Sequence, residues 1–131
     1  MRLFDLASGI GFRFPVVVSP RAVVSPHAEI GEGTIVLHGA VVNAGARIGK
    51  NCIVNSLALV EHGVEVGDHC HISTSAAVNS GVRIGRGTFI GSGSTIRQCI
   101  TIGEYCLVGM GEAVHTDLAD GTRMSGRKGG R

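Results

Sequence analysis

Six histidines carry most of the reactive chemistry in this chain: His27, His38, His62, His69, His71 and His115. Imidazole titrates near neutral pH, so a positioned histidine can take a proton from an attacking group. His62 directly follows Glu61, whose carboxylate either orients the ring or is simply solvated. His71 closes the run Asp68-His69-Cys70-His71, and the remaining four histidines read as structural or solvent-facing. The four cysteines, Cys52, Cys70, Cys99 and Cys106, show no CxxC spacing, which favours buried packing over zinc or disulfides. Gly9-Ile10-Gly11 is too short for a dinucleotide fingerprint and lacks the strand that should precede one.

A strict period positions these side chains. From Val18 to Val114 every sixth residue is Ile or Val, 17 positions in phase. A helix repeats its apolar stripe at 3.6 residues and a simple strand alternates at two, so neither explains a period of six. Hexapeptide periods belong to β-solenoids, in which each hexad forms one side of a coil. Gly31, Gly49, Gly67, Gly85 and Gly103 recur at every third hexad, which makes the coil triangular. The Gly or Asn that often follows the Ile or Val is expected to take a left-handed backbone at the corner. Residues two before each Ile or Val are small or modest and should share its inward face; Cys52, Cys70 and Cys106 fall in one such column. Nearly six coils at ~4.8 Å per strand would stand roughly 27 Å tall.

The residue just before each Ile or Val points outward, so the three sides can be compared. One carries Glu29, Arg47, Glu65, Arg83 and Thr101, an ordinary wet surface. A second carries Ile35, Ile53, His71, Phe89 and Leu107, and the third Val23, Val41, Leu59, Ala77, Thr95 and Ala113. Two apolar sides are an aggregation liability on a monomer. Three prisms around a threefold axis would cover both, so a homotrimer with ring-closing heterologous interfaces is expected. His71 is the polar member of its column: it is either a satisfied interface residue or the lining of a ligand site. His62 adjoins the third side at a corner, and there too a solvated corner is the alternative to a functional role. Because Ala77, Thr95 and Ala113 are smaller than Val41 and Leu59, the seam should widen toward the C-terminal coils and suit a long, thin ligand.

At 131 residues this is one domain, with residues 1–17 as a lead-in, 18–119 as the β-helix and 120–131 as a basic, Gly-rich tail. Arg2 to Ser8 should form one or two helical turns ended by Gly9 or Gly11, and Pro20 and Pro26 should fall at corners. After Val114 the pattern decays, and Asp117 to Gly121 reads as a turn off the end. A net charge of +2 does not suggest a nucleic-acid partner. With no signal peptide and no apolar run of about 20 residues, the expectation is a cytoplasmic protein without a membrane role.

The segment from Asn55 through Glu61-His62, followed by His71-Ile72-Ser73, resembles the hexapeptide-repeat acyltransferases of the sialic acid O-acetyltransferase and bacillosamine-pathway N-acetyltransferase group. The runs Val82 to Gly93 and Ile102 to Gly109 resemble them too, and the likeness spans about residues 12 to 120. It implies a trimeric, left-handed parallel β-helix that acetylates a sugar or nucleotide-linked sugar, at an amine or a hydroxyl, with acetyl-CoA as co-substrate. The left hand comes from the resemblance, since parallel crossovers are otherwise almost always right-handed.

In the family, the histidine matching His62 is the general base, with Glu61 here as its candidate orienting group. The one matching His71 lines the acetyl-CoA site, and the asparagine matching Asn55 lies near the acceptor. Ser80, Gly91, Ser92, Gly93, Gly109 and Gly111 would border the CoA arm between subunits. Arg127 and Lys128 are candidates for its phosphates by charge, with a solubilising tail as the alternative.

Three departures stand out. Relatives carry a nucleotide-sugar-binding domain ahead of the β-helix, and residues 1 to 11 would match only its last helix. Such a chain is either shortened or lacks the usual acceptor clamp. The residue after the catalytic histidine is often acidic in relatives and is Gly63 here, and Gly126-Arg127-Lys128-Gly129-Gly130 replaces the usual Gly-x-Pro-Ala. Two other readings are a non-catalytic trimeric assembly module and a zinc enzyme like the γ-class carbonic anhydrases. The spacing of histidines 38, 62, 69 and 71 does not match the latter's pattern.

Overall fold

The computed structural model describes residues 1–126, as one helix and a parallel β-helix of about six triangular coils. From Val17–Val18 to Ala113–Val114, each side of a coil is a two-residue strand whose second member is the hexad Ile or Val. Strands three hexads apart pair in parallel, for example His71 with Phe89 and Ala77 with Thr95. Stacking gives three flat sheets of seven, six and five strands. They are called here the histidine face (running from Val17–Val18 through His71–Ile72), the small face (from Val23–Val24 through Ala77–Val78) and the charged face (from Glu29–Ile30 through Arg83–Ile84). The composition of each matches the outward column expected for it. The hexad Ile and Val residues from Val36 onward, with Ala40, Ala46, Ala58 and Ala76, fill the axis of the prism.

The corners obey a different rule from the one anticipated. The left-handed residue is the third after each Ile or Val, not the first: Gly33, Gly45, Gly63 and Gly81 have φ near +70°, and Asn51, Leu57, His69, Ser75, Cys99 and Tyr105 share the conformation. Gly31, Gly49, Gly67, Gly85 and Gly103 are glycine because the coils touch there. A Cβ on Gly31 would lie 2.6 Å from the carbonyl carbon of Gly49, and one on Gly85 would lie 2.6 Å from the amide nitrogen of Glu104. Close approach, not dihedral freedom, excludes side chains from this column.

The inward cysteines do more than fill space. They belong to a column of hydroxyls and thiols, Thr34, Cys52, Cys70, Thr88 and Cys106, each donating to a backbone carbonyl of the next coil. Thr34 Oγ1 meets Gly49 O at 2.7 Å, Cys52 Sγ meets Gly67 O at 3.2 Å, Cys70 Sγ meets Gly85 O at 3.1 Å and Thr88 Oγ1 meets Gly103 O at 2.8 Å. The neighbouring Cys52 thiol, together with burial, pushes the Cys70 thiol well above its ordinary range and disfavours its thiolate. Cys99 departs from the buried packing expected of the cysteines: it lies outside this column and is exposed at a corner.

The winding runs past Ala119, where the hexad pattern suggested an end. Leu118 bridges to Ile102, and Arg123–Met124 pairs with Leu107–Val108. The register here falls short of three full hexads, so the pattern does not decay after Val114: it slips by two, and Leu118 and Met124 resume it one hexad apart.

At the other end, α1 (Arg2–Gly9) lies against the corner between the charged and histidine faces. Phe4 packs on Phe14 and meets the edge of His69, whose side chain is only 5% exposed. His69 Nδ1 faces Asn51 Nδ2 at 2.9 Å and its Nε2 faces Asp5 Oδ1 at 3.3 Å, so this histidine anchors the helix. Among the described residues, no helix is long and apolar enough to cross a membrane.

Candidate active site

The residues expected to do chemistry occupy the two edges of the small face. At the edge shared with the histidine face, Asn55, Ser73, Gly91 and Gly109 stack one per coil, with Ser92, Gly93 and Gly111 beside them. His71 projects from the histidine face next to this edge. The opposite edge, shared with the charged face, carries Glu61 and His62, with Ser80 one coil above His62. A single chain therefore splits the expected set: Asn55, His71 and the glycines on one side of the small face, and His62, Glu61 and Ser80 on the other. Arg127 and Lys128 lie outside the described residues.

His62 is well exposed, with 66% of its side chain open to solvent. Its Nδ1 lies 3.4 Å from Glu61 Oε1. That carboxylate oxygen also accepts a hydrogen bond from Asn43 Nδ2, one coil below. Glu61 is thus held from beneath and turned toward the ring, an arrangement suited to orienting a base through Nδ1 and leaving Nε2 outward. Gly63 follows with φ +67 and no atom within 4 Å of where a Cβ would stand. Asn43 is a partner not anticipated among the site residues, although its signal was available: it precedes Glu61 by three hexads, one full coil.

His71 is partly buried, and desolvation lowers its pKa from the ordinary imidazole value, favouring the neutral ring. It stands edge-on to Phe89 with centroids 5.0 Å apart, and its Nε2 faces Asn55 Nδ2 at 3.2 Å. Asn55 Oδ1 accepts the Ser56 backbone N–H at 2.8 Å. Beside them Ser73, also buried, exchanges a hydrogen bond with Ser92, Oγ to Oγ at 2.9 Å. A groove of about 790 Å³ runs instead along the charged face and the stacked glycines from Gly31 to Gly103. It contains none of the expected site residues, and its walls alternate in charge. Among the described residues, no group of three or more His, Cys, Asp or Glu side chains converges as metal ligands would.

Residues 45–80 and 81–111 match the profile of the bacterial transferase hexapeptide family (six repeats). The chain belongs to that family. Comparison with curated proteins gave no match, but solved structures are close. The acetyltransferase domain of PglB from Neisseria gonorrhoeae, in complex with acetyl coenzyme A, superposes with a TM-score of 0.93 at 37% identity, over 95% of this chain and 61% of that one. A histidine-to-asparagine mutant of perosamine N-acetyltransferase from Caulobacter crescentus, in complex with CoA and GDP-perosamine, gives 0.93 at 35% identity, over 95% and 60%. WeeI from Acinetobacter baumannii gives 0.90 at 28% identity, over 95% and 61%. This hexapeptide-family chain thus spans about three fifths of the length of these relatives.

Proposed function

We propose that this chain transfers the acetyl group of acetyl-CoA to an amine, or less readily a hydroxyl, of a sugar or nucleotide-linked sugar, working as a cytoplasmic homotrimer. The observation that carries the reading is the likeness, over 95% of the chain at 37% identity, to an acetyltransferase domain complexed with acetyl coenzyme A. The perosamine N-acetyltransferase complex, which holds a nucleotide-linked amino sugar, favours an amine acceptor.

The split site supports the trimer. In the single chain Val23, Ile35 and Phe89 are 64%, 36% and 37% exposed on the two apolar faces. Packing the small face of one subunit toward the histidine face of the next covers both. It also brings the His62 edge of one copy toward the His71 edge of its neighbour, with the co-substrate in the seam.

In that seam His62 is the general base. The acceptor nitrogen adds to the thioester carbonyl carbon, and a C–N bond forms as the carbonyl opens to an oxyanion. His62 takes the proton the nitrogen must lose. Collapse of the oxyanion breaks the C–S bond, and CoA leaves as its thiolate. Glu61, held by Asn43, keeps the His62 ring in the orientation that leaves Nε2 free. Backbone N–H groups at the seam, the Ser80 corner among them, stabilise the oxyanion. Arg127 and Lys128 are suited by charge to the CoA phosphates.

The test is thiol release from acetyl-CoA with a panel of nucleotide-linked amino sugars, alongside light scattering. Turnover by the wild type is expected, with loss of about 10²- to 10⁴-fold in kcat for His62→Ala and an unchanged trimer. A monomer at micromolar concentration, or near wild-type turnover by His62→Ala, overturns the reading.

A further inference from the structure

The resemblance places Asn55 beside the acceptor, but its hydrogen bonds point elsewhere. The amide has two ends. The oxygen is occupied by the Ser56 backbone N–H at 2.8 Å, which can only donate. The orientation of the side chain is thereby settled, and the NH₂ end faces His71 Nε2 at 3.2 Å. A flipped amide would set its NH₂ against the Ser56 N–H, donor against donor. Because Asn55 donates to it, Nε2 must offer a lone pair, and the ring proton of a neutral His71 sits on Nδ1.

Three further observations agree. His71 is partly buried, its ring angle is held edge-on by Phe89, and desolvation disfavours its charged form. A neutral ring carries one N–H, and which nitrogen bears it decides where the donor points.

We infer that Asn55 is a positioning residue that locks His71 into the tautomer protonated on Nδ1, making that N–H a fixed donor to a carbonyl oxygen of the acyl donor on this face. Free imidazole side chains in water prefer the proton on Nε2, so the lock selects the less common form. Asn55 then acts on the acyl donor through His71 and not on the acceptor sugar.

The experiment is nitrogen-resolved NMR of the histidine rings in the full ¹⁵N-labelled chain, with the His71 signal identified by its loss in His71→Gln. Wild type should show a neutral ring protonated on Nδ1. Asn55→Asp keeps an oxygen for the Ser56 N–H but replaces the donor with an acceptor, and it should draw the proton to Nε2. Asn55→Ala, with neither, should relax to the same form. A wild-type ring protonated on Nε2, or an Asn55→Asp ring still protonated on Nδ1, overturns the inference.

The kinetic arm rests on the acyl-transfer reading. Asn55→Asp should raise the KM for acetyl-CoA by about 10-fold while the acceptor KM stays within about 2-fold. The opposite split, a raised acceptor KM with acetyl-CoA unaffected, overturns it. The tautomer is read without turnover, so a chain inactive toward every acceptor refutes acyl transfer while the NMR still decides the Asn55–His71 contact.

Discussion

Replacing Gly85 by alanine tests the physical rule that governs the corners. Gly85 stands between Gly67 and Gly103 in the column where successive coils touch. A Cβ there would lie 2.6 Å from the Glu104 amide nitrogen and 2.7 Å from the Gly103 carbonyl carbon. Ordinary contact needs ~3.5 Å, so the two coils must part by about 0.9 Å. The bond that joins them at this point is Gly85 N–H to Ile102 O, 2.9 Å long. Parting would stretch it to about 3.8 Å, beyond hydrogen-bonding range. Loss of the backbone bond costs about 1–3 kcal/mol and the overpacking itself about 1–3 kcal/mol, so about 2–6 kcal/mol is expected in all.

Gly45→Ala is the control. Gly45 has φ +76, yet the nearest atom to its Cβ would be Gly63 N at 3.6 Å, an ordinary contact. Its cost is the left-handed backbone alone, roughly 1–2 kcal/mol. Leu57 and Tyr105 already accept that conformation in equivalent positions. Urea denaturation followed by circular dichroism, at one protein concentration, compares the two. If Gly45→Ala costs as much as Gly85→Ala, or more, the contact argument is wrong and dihedral strain governs the corners.

Three other outcomes follow from the same structure. Thr88→Val removes the hydroxyl that donates to Gly103 O and accepts from the Cys106 N–H, so it should cost about 2–4 kcal/mol in the same assay. Thr88→Ser keeps both bonds and should cost only about 1 kcal/mol. Asn43→Ala frees the carboxylate beside His62 and should lower kcat about 10- to 100-fold in the thiol-release assay with the trimer intact; a wild-type kcat would remove Asn43 from the site. Burial lowers the His71 pKa, so the unfolded chain takes up this proton first as pH falls. The His71 contribution to stability is therefore complete above the ordinary imidazole range, declines below it and levels off beneath the lowered value. Urea midpoints measured across pH should fall less steeply for His71→Gln than for wild type, and parallel curves would refute the shift.

Much of the architecture was legible because the hexad is a local rule. A residue pointing into a narrow prism is mostly Ile, Val or a small residue such as Ala, Thr, Ser or Cys, so Val18 to Val114 betray the coil, its three sides and the two apolar faces without any coordinates. The three-hexad spacing likewise determined which side chains stack, including Asn43 beneath Glu61. The corner glycines misled because one residue type answers two needs: Gly31 to Gly103 and Gly33 to Gly63 look alike in sequence, and only interatomic distance separates contact from dihedral freedom. The last coil escaped because a slip of two positions between Val114 and Leu118 breaks the phase that a strict period requires.

The chain by itself thus determined the winding, the inward columns and the histidines at issue. Tertiary structure decided what those side chains touch. Hydrogen bonds are directional and depend on a few tenths of an ångström across coils, so sequence alone does not reveal that Asn55 faces His71, that Glu61 is held by Asn43, or that buried cysteines donate to carbonyls. The separation of His62 from His71 by the width of the small face is likewise a property of the closed triangle, and it is why the proposed chemistry calls for more than one copy of the chain.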